Sequence, residues 1–148
     1  MPIALLDVNV LFALAWEKHL HHHAAHHWFN KLGQAGWARC AMTECGFVRL
    51  SSNRKVAFIE NSPFEASAML SRITSHAGHV FWPDDLQLTD AIRGYSSIQL
   101  RGHLQVADAY LLSLAIAHGG TLATFDRRAA ALTPARNPGS VEIIPVQT

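Results

Sequence analysis

Four acids in this chain stand where solubility alone does not explain them. Asp7 ends the apolar run Ile3-Ala4-Leu5-Leu6, and Asp126 follows Thr121-Leu122-Ala123-Thr124 by two residues. Glu44 opens a helical pattern after the short run at 37–41. Asp108 lies inside an apolar helical pattern whose stripe is read as Val106, Leu111, Leu114 and Ala115. Singly, a turn, a helix N-terminus or a helix cap accounts for Asp7, Glu44 and Asp126. Asp108 has poor helix propensity at a position with no capping role. Together the four are expected at one edge of a sheet. Two carboxylates about 4 Å apart repel by roughly 4 kcal/mol at an effective dielectric of 20. Four would strain a domain whose total stability is about 5–15 kcal/mol. Either some are protonated or a cation neutralises them. Oxygen-only ligands favour hard ions, so magnesium or manganese over zinc or copper. The natural chemistry of such a centre is phosphodiester hydrolysis.

The elements that must position these acids alternate in type. The run at 3–6 suits a strand buried on both faces. Asn9 is expected to cap a helix through Leu11, Leu14 and Ala15, and a second helix is expected at 22–32, with Gly33 as its stop. A strand is expected at 37–41, then a helix capped by Thr43 that carries Glu44, Phe47, Val48 and Leu50. Ser62-Pro63-Phe64-Glu65 combines an N-cap, proline at the first helical position and a capping-box glutamate. That helix should run to about Ala77, with Gly78 as its terminator. Further strands are expected at 79–82, 121–124 and 141–146. Further helices are expected at 89–96 and from His103 or Leu104 to His118. Five strands alternating with helices predict an α/β sandwich around a mostly parallel sheet. Ligands of such sheets bind outside the carboxyl ends of the strands, where Asp7 and Asp126 fall.

Composition bounds the reading. A chain of 148 residues, 49% hydrophobic and 16% charged, predicts one globular domain over 1–148. A formal net charge of +1 excludes wholesale attraction to nucleic acid, so such contacts need a local basic patch. Cys40 and Cys45 do not have metal-knuckle or redox-motif spacing and are expected reduced. No signal-peptide pattern is present, and the apolar run 10–16 falls short of the about 20 residues a bilayer requires. A soluble, cytoplasmic protein with no membrane partner is expected.

Four motifs resemble a known family. Leu5-Leu6-Asp7-Val8-Asn9-Val10-Leu11 is similar to the opening of PIN domains, VapC toxins in particular. Thr43-Glu44-Cys45-Gly46-Phe47-Val48-Arg49, Val106-Ala107-Asp108-Ala109-Tyr110-Leu111-Leu112 and Leu122-Ala123-Thr124-Phe125-Asp126-Arg127-Arg128 resemble the second, third and fourth acidic motifs. Each alone is weak. In order, along a chain of fitting length, they are specific. The resemblance implies a three-layer α/β/α sandwich with five strands and a magnesium- or manganese-dependent endoribonuclease. It implies a toxin restrained by a cognate VapB-type antitoxin, and a homodimer. By the same resemblance Asp7, Glu44, Asp108 and Asp126 hold the metal, directly or through water, and Asn9 and Thr124 are the supporting polar residues.

Several other features are weighed against plainer roles. Arg49, Arg54 and Lys55 on one side, and Arg127 and Arg128 on the other, could grip RNA phosphates about the acidic centre. His22 with His26, and His23 with His27, have the i,i+4 spacing of a shared ion, but a solvated helix face opposite Ala25, Trp28 and Leu32 is preferred. Asp84, Asp85 and Asp90 suit turns and caps after Pro83, and His103 suits a helix start. The apolar stretch 56–73, with the capped helix 62–77, carries surplus apolar surface at Phe58, Phe64 and Met69 that could pack in a dimer interface or receive an antitoxin segment, with core packing the simplest account.

Two competing functions are separable on the sequence. A phosphatase with Asp7 as nucleophile, of the haloacid dehalogenase type, wants a second aspartate where Asn9 stands. It also wants a lysine before the last acidic motif, and no lysine follows Lys55. A non-catalytic PIN-like module for binding RNA or a partner would be marked by a missing acid; none is missing.

Overall fold

A computed structural model describes residues 2–32, 35–57, 60–93 and 100–146. The strands are β1 (Ala4–Leu6), β2 (Trp37–Arg39), β3 (His79–Phe81), β4 (Thr121–Thr124) and β5 (Val141–Ile143). The helices are α1 (Val8–Ala15), α2 (His22–Lys31), α3 (Ala41–Ser51), α4 (Pro63–Ile73), α5 (Leu88–Ala91) and α6 (Val106–Ala117). Short 3₁₀ turns occupy His103–Gln105 and Arg127–Leu132. The strands form one sheet in the order β3-β2-β1-β4-β5, with every neighbouring pair parallel.

Period-two alternation divides the core between the two faces. Ala4 and Leu6 point toward one layer, where they pack with Val10, Leu11, Trp28, Phe47 and Leu70 from α1 to α4. Leu5 points the other way, into a cluster with Trp82, Ala91, Leu111, Leu112 and Leu114 of the α5–α6 layer. The result is the expected three-layer α/β/α sandwich. Successive strands run outward from β1 to β3, and the chain then returns to the other side of β1 through β4. The order therefore reverses between β1 and β4, and the register Leu6↔Ala123 sets Asp7 and Thr124 side by side at that switch point.

Several boundaries differ from the sequence reading for local reasons. Helix α1 is capped by Asp7, not Asn9: the Asp7 backbone is still extended and its carboxylate accepts the Val8 N–H at 2.7 Å. Helix α3 begins at Ala41, two residues before the expected Thr43 cap. Thr43 instead closes a capping box from within, its hydroxyl accepting the Cys40 N–H at 3.1 Å and donating to the Cys40 carbonyl at 2.9 Å. Helix α4 has the expected Ser62/Glu65 box but stops at Ile73 rather than Ala77. The side chains of Thr74, Ser75 and His76 turn back onto the carbonyls of Ser71, Arg72 and Ile73, ending the helix early. Gly78, at φ +84°, then forms the corner into β3.

Strands β2, β3 and β5 are shorter than their apolar patterns, and α6 starts at Val106 after a 3₁₀ turn. Val106 is 36% exposed and Leu104 73%, so the buried stripe of α6 runs from Ala109 to Ala115 and excludes Val106. The helix expected at 89–96 begins one residue earlier, as α5 over Leu88–Ala91 among the described residues; its expected end, like Gly33 and Phe58, lies outside them. Phe64 is 88% exposed while Met69 packs on the core, so core packing explains only one of the pair. Cys40 is buried and Cys45 exposed, both as free thiols. No helix among the described residues is long and apolar enough to cross a membrane.

The histidine run is corrected in part. His22 Nδ1 lies 2.7 Å from the Ala13 carbonyl and His26 Nε2 2.9 Å from that of Leu14. Both carbonyls belong to the last turn of α1, whose acceptors have no partner within the helix. These two rings cap the end of α1, His22 half-buried and His26 still exposed.

Candidate active site

Asp7 and Thr124 open the site. Asp7 is 8% exposed, and the buried Thr124 hydroxyl donates to its Oδ2 at 2.7 Å. A hydroxyl has one proton and two lone pairs. With its proton on Asp7, Thr124 Oγ1 accepts from Asn9 Nδ2 at 3.0 Å and from the Asp126 N–H at 3.0 Å. Asn9 Oδ1 in turn accepts the Phe125 N–H at 3.2 Å. Asn9 and Thr124 thus tie the end of β4 to the start of α1 and fix the directions of Asp7 and Asp126.

The aspartates differ in how their charge is met. Burial raises the Asp7 carboxyl above its ordinary value; the Thr124 and Val8 hydrogen bonds oppose this, and the Asp126 charge adds to it. Asp126 is held below the ordinary range, chiefly by Arg128. The Arg128 backbone N–H, at 2.9 Å, and Nε, at 3.0 Å, reach Asp126 Oδ1, and Nη2 lies 2.8 Å from Oδ2. Asp126 also caps the following 3₁₀ turn, so its structural and chemical duties coincide. Asp108 is pushed up to about 6, first by burial and then by the charges of Asp7 and Asp126, with Arg128 acting the other way. These effects of Asp126 on Asp7, and of both on Asp108, bring the three aspartates into one electrostatic group.

Glu44 is positioned differently. It forms an ion pair with Arg39, the last residue of β2, and both side chains are largely buried. Arg39 also donates from Nε to His79, and its guanidinium carbon lies 5.0 Å from the centre of the Phe81 ring. The Asp126 charge bears on Asp7, and the charges of Asp7 and Asp126 bear on Asp108. Among the described residues, no three acids, histidines or cysteines lie close enough together to ligate one ion as they stand.

A cleft of about 530 Å³ opens beside the aspartates, lined by Asp108, Asp126, Arg128, Arg101, His103 and Leu104 among others. Arg128 reaches it; Arg49, Arg54, Lys55 and Arg127 do not line it. Arg54 faces Glu60 at 3.7 Å in an exposed pair. His103 enters the cleft from the 3₁₀ turn before α6. Arg101 and Arg39 had no signal in the sequence, since neither adjoins an acidic motif. Asp84 serves as expected of a turn acid, accepting the Met42 N–H at 3.0 Å near the start of α3.

The donor set suits a hard cation: oxygen atoms only, a surplus of negative charge, and an Asp108 carboxylate that no hydrogen bond or ion pair satisfies among the described residues. A profile of the family described as "PIN domain" matches residues 4–133. The chain belongs to the PIN-domain family. Ribonuclease VapC39 of Mycobacterium tuberculosis is a 46% identical PIN relative over 141 residues, spanning 95% of this chain and 99% of the relative. Ribonuclease VapC38 of the same organism is 40% identical over 145 residues, spanning 97% of this chain and 99% of that relative, and this PIN domain is a ribonuclease of the VapC type. Two solved structures share the fold. The M. tuberculosis sarcin–ricin-loop-cleaving toxin VapC20 aligns with TM-score 0.64 at 13% identity, over 86% of this chain and 93% of that one. VapBC2 of Rickettsia felis, bound to a promoter DNA fragment, gives 0.62 at 14% identity, over 95% and 98%.

Proposed function

We propose that this VapC-type ribonuclease, the toxin of a toxin–antitoxin module, cleaves RNA internally with magnesium or manganese held by Asp7, Asp108 and Asp126. Glu44 joins through water or after leaving Arg39. The carrying observation is Asp108: its carboxylate is pushed up to about 6 beside two other aspartates and lines an open cleft. A bound hard ion would supply water of lowered pKa and stabilise charge developing on the phosphodiester. The chain's own residues do the rest. Thr124 and Asn9 keep Asp7 and Asp126 aimed at one point. Arg128, Arg101 and His103 line the cleft where phosphates of a bound strand would pass. Arg49, Arg54, Lys55 and Arg127 are left for more distant phosphates.

A cognate VapB-type antitoxin, by analogy with the VapBC2 complex, completes the reading, together with the homodimer and the cytoplasmic setting expected from the sequence. The test is cleavage of a mixed RNA pool in magnesium, manganese or EDTA, comparing wild type with Asp108→Ala. Cutting is expected only by wild type and only with a divalent ion. Cleavage that persists in EDTA, or a mutant as active as wild type, overturns the carboxylate mechanism.

A further inference from the structure

Arg128 lies where an incoming cation has to bind. Its planar fork covers both oxygens of Asp126, with Nε 3.0 Å from Oδ1 and Nη2 2.8 Å from Oδ2. The Arg128 backbone N–H takes a further lone pair of Oδ1. Asp126 thus has little acceptor capacity left for a metal ion. Yet the fork is weakly anchored. The Arg128 side chain is 79% exposed, against 25% for Asp126. An exposed ion pair of this kind favours its closed state by no more than about fivefold. Arg128 is also felt by Asp108, and all three residues line the same cleft.

We propose that Arg128 is an exchangeable counter-ion: it holds Asp126 while no divalent cation is bound, and cation entry releases it into the cleft to take an RNA phosphate. This rests on the metal-dependent reading above. Chemistry favours the exchange. A divalent ion offers twice the charge of a guanidinium and can serve Asp126 and the unpaired Asp108 together. The released fork matches the paired oxygens of a phosphate as well as those of a carboxylate. A lysine could carry the charge but not the two-point grip. Metal loading and RNA capture are thereby coupled through one side chain.

The Arg128 Nε–H group reports the exchange directly by nitrogen–proton NMR of the metal-free protein, assigned by its loss in Arg128→Lys. Titration with magnesium chloride is expected to speed its exchange with water by up to about fivefold as the Val8 and Phe125 amide signals shift. If those amides shift while the Arg128 signal stays protected, Arg128 remains on Asp126 and the proposal is wrong. If no amide of the site responds to magnesium or manganese, the metal-dependent reading fails and takes this inference with it. Binding of a mixed single-stranded RNA pool gives a second arm, with calcium replacing the ions that support cleavage. With calcium, Arg128→Ala should reduce the log–log salt slope by about 0.7, one phosphate contact, and in EDTA it should leave the slope unchanged. An equal reduction in EDTA would mean that Arg128 reaches RNA without being released, and would overturn the coupling.

Discussion

Replacing Asp108 by Asn should make the metal-free protein more stable while abolishing cleavage. The Asp108 carboxyl rises from 3.8 to about 6 on folding. At about 1.4 kcal/mol per pH unit, that bounds the cost of ionising it in the folded state at about 3 kcal/mol. Asp108 is only half-buried, and screening by water reduces the figure to about 1–2 kcal/mol. Because the folded value lies above the unfolded one, wild-type stability falls as pH rises from about 4 through about 6, then levels off. The amide has no such loss. Asn and Asp have similar helix propensity, so the comparison isolates the charge. In EDTA at pH 7.5, urea or thermal unfolding should therefore favour Asp108→Asn by about 1–2 kcal/mol, or roughly 3–8 °C in Tm. At pH 4 the difference should vanish. Magnesium at ten times its Kd should restore about 1.4 kcal/mol to wild type and little to the mutant. A mutant no more stable than wild type in EDTA at pH 7.5 would refute the claim that this carboxylate is under electrostatic strain.

Three further expectations are open to measurement. Manganese affinity should fall about tenfold per pH unit below about 6, as Asp108 takes up a proton while Asp126, held down by Arg128, stays ionised; calorimetry between pH 5 and 7.5 would show it. Thr124→Val removes the donor to Asp7 and the acceptor of Asn9 and of the Asp126 N–H, and should cost about 2–3 kcal/mol in urea unfolding. Gly46→Ala places a Cβ 2.6 Å from Val8 Cγ2, forcing α3 off α1; a loss of about 1–3 kcal/mol is expected, partly relieved when combined with Val8→Ala in a double-mutant cycle.

Strand ends were legible because a strand buried on both faces must be apolar throughout, and its run breaks where the chain leaves the sheet. That is why Asp7 and Asp126 could be placed just past the carboxyl ends of their strands from residue order, though not at the switch point that the strand order creates. Helix starts were less legible. Asp7 and Asn9 are both good caps, and only the still-extended backbone after β1 decides for Asp7. Cys40 and Thr43 pose the same ambiguity at α3. Partners in space were not legible at all. His22 and His26 looked solvated because their acceptors are carbonyls of another helix. Arg39 gave no sign of Glu44 because a long side chain reaches where the fold sends it. Arg101 joins the cleft only through the fold, which brings residues 101–105 to line it together with Asp126 and Leu132.

The four acids are compensated by different means. Asp7 has hydrogen bonds from Val8 and Thr124, Asp126 has the Arg128 fork, and Glu44 has Arg39. Each compensation comes from the chain itself, so each acid is tolerable without a ligand. Asp108 alone is met by neither a hydrogen bond nor an ion pair among the described residues, and it is the one whose proton is most strongly retained. A folded chain under selection only for stability would remove such a group at little cost, since an amide or an alanine fits the same helix. Asp108 stands in the first turn of α6, not mid-helix, and gains there from the helix dipole; lining a cleft and still pushed up to about 6, it is best matched by a partner that arrives from outside. The compensated acids bear on the same point from the other side: Asp126 can be freed by displacing an exposed arginine, whereas Asp7, fixed by buried hydrogen bonds, holds its place throughout.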